Sequence, residues 1–389
     1  MMWARRIRNT SMIGILLFLT LVMTGCWDKK NIQDMNYITA LGIDYVNNKY
    51  VVYTQSLDFT NVSKQESTKS KEHVPVWIGR GEGETLDSAV NDIYRAAQLP
   101  IIWEHISAIV FHERALKQDL RRLTDTLLRY HEIRFTPWVY GTRDSVKDLF
   151  AAPNTFNLSP LNSILHQPED VYMQLSYIHP MTLREMFIRW LRPGSTLLLP
   201  SISVNKDQWF EDLEPKGAYQ IDGLFTLKKE QYQGWWAKKD ITGIRWASRN
   251  VVQTALQLEP HKKTVAMLSL NVPESNISIK LRGQQQTPMV RIQLLIDGSI
   301  DETLSEMQPH EMEKLAERKI RSEILQTFQD GVHKDVDLFS IRKEIYEQHV
   351  TYWNQHQKGQ TVRLRPDMIE HIDVHVKLKN AGMTKLRKL

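Results

Sequence analysis

Apolar and polar positions in the first half of the chain follow strand and helix periods in turn. Residues 37–44 and 49–59 are rich in β-branched and aromatic side chains, and Asn47 and Asn48 lie between them. Because asparagine tolerates positive φ, this pattern predicts a β-hairpin. Thr85 precedes apolar residues at helical spacing, which predicts a helix N-cap. Further strands are expected at 74–78, 101–111, 135–140 and 196–204, and further helices at 116–127, 144–150, 160–166 and 183–191.

The second half of the chain predicts another group of strands together with long helices. Pro309 suits the first turn of a helix because it lacks an N–H, and Gly331 is expected to end that helix. Glu317 and Arg321 are four residues apart on it and predict an ion pair on its polar side. The other predicted elements are strands at 218–227, 232–236, 264–272, 276–282, 288–296 and 372–378, and helices at 241–251 and 338–353.

Neighbouring strands flanked by helices favour an α+β fold with mixed or antiparallel sheets over a doubly wound sheet. A chain of 389 residues is too long for one hydrophobic core. We therefore expect a multi-domain protein with an N-terminal α+β domain over 37–205 and a C-terminal α+β domain over 217–389. The segment KDQWFEDLEPK, residues 206–216, is the predicted linker between them. The polar stretch 61–72 predicts a mobile loop.

The first thirty residues have the layout of a secretory signal. Three arginines precede a largely apolar run over 12–23, and small residues then lead to Cys26. The run is shorter than the roughly 20 residues that a membrane-spanning helix needs. A cysteine at this place predicts lipidation, a cleaved signal peptide over 1–25 and a lipid tether over 26–36. Met23 stands where a lipobox usually has leucine, and an uncleaved anchor with a chance cysteine is the alternative.

Cysteine content and charge exclude several classes of function. Cys26 is the single cysteine of the chain, so the sequence offers no disulfide framework, no cysteine-based zinc site and no other thiol nucleophile. The formal net charge is +5, but three of the fifty basic residues and none of the acidic ones lie in residues 1–25. The mature chain would carry +2, which does not indicate nucleic-acid binding.

Three His-Glu pairs and one strand contain residue types that bind metal ions. A helical zinc motif needs a second histidine four residues after the first, but Leu116, Phe135 and Lys314 occupy those positions. His371, Asp373 and His375 share one face of the predicted last strand, although solvated polar residues are the expected interpretation. The sequence predicts no metal and no cofactor. The pairs are His112-Glu113, His131-Glu132 and His310-Glu311.

Two other motifs and one aromatic cluster each allow a functional and a structural interpretation. The Gly-x-Gly-x-Gly motif over 79–83 lacks the Lys-Ser/Thr of a P-loop and has acidic neighbours, so a flexible turn is expected there. Asp335 and Asp337 lie at a helix entry, where capping explains them without acid–base chemistry. The sequence predicts no catalytic residue. Trp235, Trp236 and Trp246 either form an exposed aromatic surface or belong to the core, the expected interpretation.

Four stretches carry a resemblance to the Ger(x)C family, the C-subunit lipoproteins of bacterial spore germinant receptors. The resemblance runs in matching order over essentially the whole chain, although Ser340 and Ile341 replace a Gly-rich continuation. The stretches are GCWDKKNIQDMNYITALGIDY (25–45), GAYQIDGLFTLKKEQYQGWW (217–236), HKDVDLFSIRKEIY (333–346) and DVHVKLKNAGMTK (373–385).

This resemblance implies a function that the residues alone do not indicate. It implies a non-enzymatic subunit, lipid-anchored through Cys26 on the outer face of the cell membrane or inner spore membrane. The implied partners are a receptor A subunit and a transporter-like B subunit, and the implied role is to scaffold or couple nutrient sensing to germination. A substrate-binding lipoprotein of a transporter is the alternative, although the chain lacks the repeated βα pattern typical of that class. A surface hydrolase would need a catalytic site that the sequence does not show.

Overall fold

The computed structural model describes residues 34–57, 75–130, 132–229, 231–247, 251–356, 362–381 and 384–385. The strands are β1 (Asn36–Val46), β2 (Lys49–Leu57), β3 (Val76–Gly83), β4 (Ile101–Ile102), β5 (Ala108–His112), β6 (Trp138–Thr142), β7 (Thr196–Glu211), β8 (Glu214–Lys228), β9 (Gln231–Ala237), β10 (Thr254–Leu258), β11 (Ala266–Arg282), β12 (Thr287–Thr303), β13 (Ile369–Ala381) and β14 (Thr384–Lys385). The α-helices are α1 (Leu86–Tyr94), α2 (Glu113–Leu116), α3 (Leu120–Arg129), α4 (Val146–Phe150), α5 (Glu169–Gln174), α6 (Leu183–Leu191), α7 (Ile244–Ala247), α8 (Pro309–His333), α9 (Ile341–Gln348) and α10 (Val350–Gln355). The predicted signal peptide over 1–25, Cys26 and the polar loop over 61–72 lie outside the described residues.

Two sheets, each with helices packed against it, confirm the α+β fold class. In the first sheet the strand order is β3-β2-β1-β5-β6-β7-β8-β9, and β4 pairs with β1. Strands β1, β5, β6 and β7 are parallel, whereas the strands at both sides of this group pair antiparallel. The second sheet has the order β10-β11-β12-β13-β14. No described helix combines the length and apolar character needed to cross a membrane.

The first predicted hairpin and helix cap are confirmed. Val46 pairs with Lys49, and Asn47 and Asn48 between them have φ of 52° and 60°. These are the positive φ values that a two-residue hairpin turn with the right-handed strand twist requires. Thr85 caps α1, and its hydroxyl accepts a hydrogen bond from the N–H of Ser88.

The three glycines of the Gly-x-Gly-x-Gly motif lie in strand β3, so the predicted flexible turn is wrong. Alternate residues of a strand face the same side, and here the absence of side chains lets α1 approach the strand backbone. A Cβ at Gly81 would lie 2.1 Å from the carbonyl oxygen of Ala89, and one at Gly83 would lie 2.1 Å from the Oγ of Ser88. The motif is therefore a packing surface for a helix.

A Gly81→Ala variant is expected to lose about 1–3 kcal/mol of unfolding free energy, because the obstructing atoms belong to the helix backbone. The added Cβ would also lie 3.0 Å from the N of Ile93. The matched control is Gly217→Ala, where the one close atom is the rotatable Val204 Cγ1 at 2.7 Å. Urea denaturation of the purified proteins measures the unfolding free energy of both variants. Equal losses in the two variants would show that α1 does not depend on this close approach.

The segment predicted as a linker, residues 206–216, is the outer end of hairpin β7–β8. Trp209 pairs with Lys216 and Glu211 with Glu214, so the ladder continues to the turn. Strands β8 and β9 then complete the first sheet, although the sequence placed them at the start of a C-terminal domain. The linker prediction is wrong because aromatic residues extend strand β7 to Glu211, and only Asp212 and Leu213 form the turn to β8. The division into domains over 37–205 and 217–389 stays a prediction.

Hairpin β8–β9 contributes to the cores of both sheets. Phe225 and Leu227 pack in the core of the first sheet, together with residues of β1, β5 and β7. Leu224 and Trp236 instead pack in the core of the second sheet, together with residues of β11, β12 and α8. Neighbouring residues of a strand face opposite sides, so the buried end of β8 lies between two apolar layers.

Several predicted elements are longer, shorter or divided in the structure. The runs at 264–272 and 276–282 form one strand, β11, with an irregularity between Asn271 and Glu274, and β10 was not predicted. The helix expected over 116–127 is divided because Asp119 accepts hydrogen bonds from the N–H groups of Arg121 and Arg122 and caps α3. The other divided or shortened elements are those predicted at 101–111, 160–166, 241–251 and 338–353.

Helix α8 packs on β13, the last long strand. The predicted alternation is confirmed, since Ile372, Val374, Val376 and Leu378 are buried. The polar side of α8 also contacts this strand. Glu317 accepts from the Val376 N–H at 3.2 Å, and the Arg321 Nε donates to the Ile372 carbonyl at 3.0 Å. The sequence paired these two side chains with each other, but their hydrogen bonds go to the backbone of β13 and fix its position on the helix.

Candidate functional site

The carboxyl ends of the parallel strands β1, β5 and β6 lie at one edge of the first sheet, the usual place for a ligand in a sheet of this kind. Asp44 near the end of β1 is 3% exposed. It accepts two hydrogen bonds from Arg114, from Nε to Oδ1 at 3.0 Å and from Nη2 to Oδ2 at 2.6 Å. This paired geometry is typical of a strong carboxylate–guanidinium contact.

The Nδ1 of His112 lies 3.4 Å from the Oδ1 of Asp44, but the two groups do not form an ion pair. The Nδ1 of His112 accepts a hydrogen bond from the Arg114 N–H at 3.0 Å, so this nitrogen carries no proton. Burial lowers the pKa of His112, which also favours the neutral ring. Asp44 is therefore neutralised by Arg114 alone.

Glu113 connects the same edge to strand β9. It accepts a hydrogen bond from the Tyr232 hydroxyl at 2.7 Å and pairs with Lys117 at 2.9 Å. Arg143 lies 3.6 Å from Glu113 and also stacks over the ring of Trp235 at 4.5 Å. Both aromatic residues belong to β9, so the charged cluster holds the far hairpin against the strand edge. The charged groups of this cluster pair with one another and with aromatic residues of β9, which favours a structural role over ligand binding.

A buried hydrogen-bond network contains a serine and a histidine that the sequence analysis did not single out. The Ser107 Oγ lies 2.6 Å from His166 Nδ1, and the His166 Nε2 lies 2.9 Å from Gln55 Oε1. The Gln55 amide nitrogen donates to the Phe150 carbonyl, so its oxygen faces the ring as an acceptor. We therefore assign the His166 proton to Nε2, and Ser107 donates to Nδ1.

This Ser107–His166–Gln55 network resembles a nucleophile, a base and an orienting group in its distances, but not in its chemistry. His166 is 4% exposed, and burial lowers its pKa from 6.5 to about 3. An imidazole with that pKa is a poor general base near neutral pH. The three residues are far apart in sequence and lie in no recognisable motif, so spacing alone could not reveal the network.

His166 is expected to make the protein less stable as the pH falls. Between pH 6.5 and about 3 the unfolded chain binds a proton on this histidine and the folded chain does not. The free energy of unfolding therefore decreases by up to about 1.4 kcal/mol per pH unit in this window. A His166→Gln variant is expected to lose this part of the slope in urea titrations at several pH values, whereas His375→Gln, at an exposed position, keeps it. An unchanged slope in His166→Gln would contradict the assignment.

The stretch HKDVDLFSIRKEIY contains a second buried polar cluster. Asp337 is 1% exposed, and its two oxygens accept from the N–H groups of Ile341 and Arg342, both at 2.8 Å. Asp337 thus caps the start of α9, as predicted. Burial raises the pKa of this carboxyl, while the Arg342 charge and the two N–H donors act in the opposite direction.

Arg342 connects this cap to two other segments. It is 4% exposed, and its Nη2 donates to Asp335 Oδ1 at 3.1 Å while its Nε donates to the Val362 carbonyl at 3.1 Å. Asp335 has a φ of 53°, and its side chain is largely exposed. Asp335 therefore pairs with the arginine and does not cap the helix, which corrects the prediction for this residue.

The same stretch contacts the first sheet and the helix that precedes β7. The Lys334 ammonium lies 4.1 Å from the centre of the Trp236 ring, and the Gln233 amide donates to the Asp335 carbonyl at 3.4 Å. Arg192 forms an ion pair with Glu347 at 2.6 Å. A Cβ added to Gly194 would lie 2.6 Å from the Arg342 carbonyl oxygen, so the two backbones approach closely there. We call residues 333–347 with these contacts the sheet junction.

The structure shows where the three tryptophans and the candidate metal ligands lie. Trp236 is 3% and Trp246 is 0% exposed, which confirms the core interpretation, and Trp235 is half-buried beside Arg143. His371, Asp373 and His375 lie along β13 on the side opposite its buried residues. Within the described ranges no group of three or more His, Cys, Asp or Glu residues is arranged to hold a metal ion.

Comparison with known domains covers both halves of the chain. The family described as "Spore germination protein N-terminal domain" matches residues 28–204. The family described as "Spore germination B3/ GerAC like, C-terminal" matches residues 222–382. The chain belongs to the GerAC family of spore germination proteins. Residues 333–347 of the sheet junction, strand β9 and the second half of β8 lie within the match of the GerAC C-terminal family.

Individual relatives align over most of the length of this GerAC protein. Spore germination protein KC of Bacillus subtilis is 20% identical over 395 residues, 97% of this chain and 97% of the relative. Spore germination protein B3 of the same organism is 20% identical over 389 residues, 96% of this chain and 99% of the relative. The crystal structure of the GerBC protein matches with a TM-score of 0.50 and 17% identity, over 87% of this chain and 96% of that one. The GerBC match supports the fold.

Proposed function

We propose that the mature protein is a lipid-anchored, non-enzymatic subunit of a spore nutrient receptor on the outer face of the inner spore membrane. The observation that carries the proposal is the match of spore germination families to both halves of the chain. The proposed partners are a receptor A subunit and a transporter-like B subunit in the membrane. The proposed role is to hold these partners in the state that responds to nutrients.

Membrane attachment in this proposal depends on Cys26. A diacylglyceryl group on its sulfur supplies two acyl chains, and two chains give stable anchoring where one gives only marginal binding. Anchoring also keeps the protein at a high effective concentration near membrane partners. The tether over residues 26–36 connects this anchor to β1.

The described polar clusters support a structural rather than a catalytic role. Asp44 and Arg114 are bound to each other, and Glu113 is bound to Lys117 and Tyr232. Among the described residues, the Ser107–His166 pair comes nearest to catalytic geometry, and its histidine is buried with a low pKa. Such networks stiffen a scaffold when their members are satisfied.

Deletion of the gene tests the proposal in spores that contain no redundant receptor. Nutrient-triggered germination is expected to be lost and then restored by the wild-type gene, while a nutrient-independent trigger keeps its effect. Unchanged nutrient germination in the deletion strain would contradict the proposal. Saturable binding of a nutrient by the purified protein, together with impaired nutrient uptake, would favour the substrate-binding lipoprotein of a transporter instead.

A further inference from the structure

The outer end of hairpin β7–β8 carries large apolar side chains in solvent. Trp209 is 54%, Phe210 59% and Leu213 92% exposed. The paired strand β6 ends at Thr142, and its bridge to β7 is at Ser201, so β7 continues ten residues past this point with β8 as its partner. At about 3.3 Å per residue, the exposed part after Asn205 extends about 20 Å. We call residues 206–216 the hairpin tip.

The two-residue turn of the hairpin tip has a backbone conformation that is unfavourable for leucine. Asp212 and Leu213 have φ of 49° and 72°, the left-handed region that glycine or asparagine usually occupies in such a turn. A leucine there is strained, and at 92% exposure it buries little apolar surface against the rest of the protein. Neither backbone preference nor internal packing explains this side chain.

Charge determines which kind of surface fits the hairpin tip. The hairpin tip has four acidic and two basic side chains, so its net charge is −2. The acidic residues are Asp207, Glu211, Asp212 and Glu214, and the basic residues are Lys206 and Lys216. Anionic lipid headgroups repel such a segment, and two tips would repel each other in a symmetric dimer. An apolar pocket bordered by basic side chains complements it.

The position of the hairpin tip also favours a protein over the anchoring membrane. Strands β1 and β7 run in the same direction through β5 and β6, so the start of β1 at Asn36 and the tip lie at opposite ends of the sheet. Their separation along the strands is about 50 Å at 3.3 Å per residue. The ten residues from Cys26 to β1 span at most about 35 Å when fully extended.

We propose that the hairpin tip docks into an apolar pocket with a basic rim on the extracytoplasmic part of another receptor subunit. This inference rests on the proposed receptor function and adds the surface and the chemistry of the contact. Trp209, Phe210 and Leu213 supply the apolar anchors, and the acidic residues beside them orient the encounter. Large aromatic anchors within a polar border are the pattern of interface hot spots.

Photo-cross-linking in sporulating cells tests the docking. A benzoylphenylalanine at position 213 of the full-length protein is expected to cross-link to a membrane receptor subunit, at a peptide that contains apolar and basic residues. The control position is Leu304, which is 60% exposed and lies after β12. A cross-link from position 213 to lipid, to the same chain or to a second copy would overturn the proposal.

Two variants separate docking from folding and from the proposed function. Trp209→Ser with Phe210→Ser is expected to lower co-purification of the partner subunit from solubilised spore membranes at least about tenfold. The control, Leu304→Ser with Val350→Ser, removes two other exposed apolar side chains and leaves co-purification unchanged. Leu213→Gly is expected to weaken docking while its melting temperature stays equal or rises, because the turn strain is relieved.

The possible failures are distinguishable. If wild-type protein co-purifies with the receptor subunits and the hairpin-tip variant does so equally well, the docking surface is wrong and the receptor function stands. If deletion of the gene leaves nutrient germination unchanged, the receptor function fails, and this inference fails with it. A large fall in melting temperature in the Leu213→Gly variant would show that the residue serves folding instead.

Discussion

A Glu323→Ala variant is expected to lose about 3 kcal/mol or more of unfolding free energy. Glu323 on α8 accepts hydrogen bonds from the Arg245 Nη2 at 3.0 Å and the Trp246 Nε1 at 2.7 Å. The Arg245 side chain is 9% exposed and stacks over the Trp246 ring at 4.5 Å. Removing the carboxylate leaves a buried guanidinium without its counter-charge, which costs far more than a surface pair.

The matched control for this prediction is Glu370→Ala. Glu370 also binds an arginine, Arg282, with contacts at 3.0 and 3.3 Å, but that pair lies at the surface. Its urea midpoint is expected to stay close to wild type, because solvent screens an exposed pair. Adding Arg245→Met to Glu323→Ala should restore part of the loss, since the lone buried cation is removed. Equal midpoints for the two single variants would contradict the account of α8.

An Asp337→Ala variant is expected to lose about 3 kcal/mol and to weaken nutrient germination. The change leaves the N–H groups of Ile341 and Arg342 buried without their acceptor, at about 1–3 kcal/mol each. It also removes an acidic group beside the buried Arg342. Because α9 belongs to the sheet junction, its fraying would loosen the contacts between Lys334 and Trp236 and between Arg192 and Glu347.

Urea denaturation and spore germination assays measure the two effects of Asp337→Ala together. The control is Asp367→Ala, which removes an exposed aspartate that contacts Arg365 at 3.0 Å. Its stability and germination are expected to remain close to wild type. A stable Asp337→Ala protein that still supports germination would show that the cap is not needed. Normal stability with lost germination would instead point to a direct partner contact at this site.

Features set by neighbouring residues could be predicted from the sequence. The Asn47-Asn48 turn, the Thr85 cap and the alternation along β13 each depend on a few adjacent positions. The Asp335–Asp337 pair was also found by its pattern, although only Asp337 caps the helix. In each case the interaction is short in sequence and has a specific residue preference.

Features set by distant pairing could not be predicted. Strands β8 and β9 look like the start of a new unit in sequence, and only their ladder with β7 shows that they complete the first sheet. The glycines of β3 carry no side-chain period, so their role against α1 depends on a helix that packs on them. The Ser107–His166–Gln55 network joins residues up to 111 positions apart.

Lipid labelling of wild type and Cys26→Ala in sporulating cells tests the central claim, a lipid-anchored receptor subunit, most directly. The account predicts that wild-type protein takes up the labelled acyl chain and sediments with the spore membrane. Cys26→Ala is expected to remain unlabelled, to leave the membrane fraction and to support only weak nutrient germination. A wild-type protein without label, or an unlabelled variant that germinates normally, would contradict it.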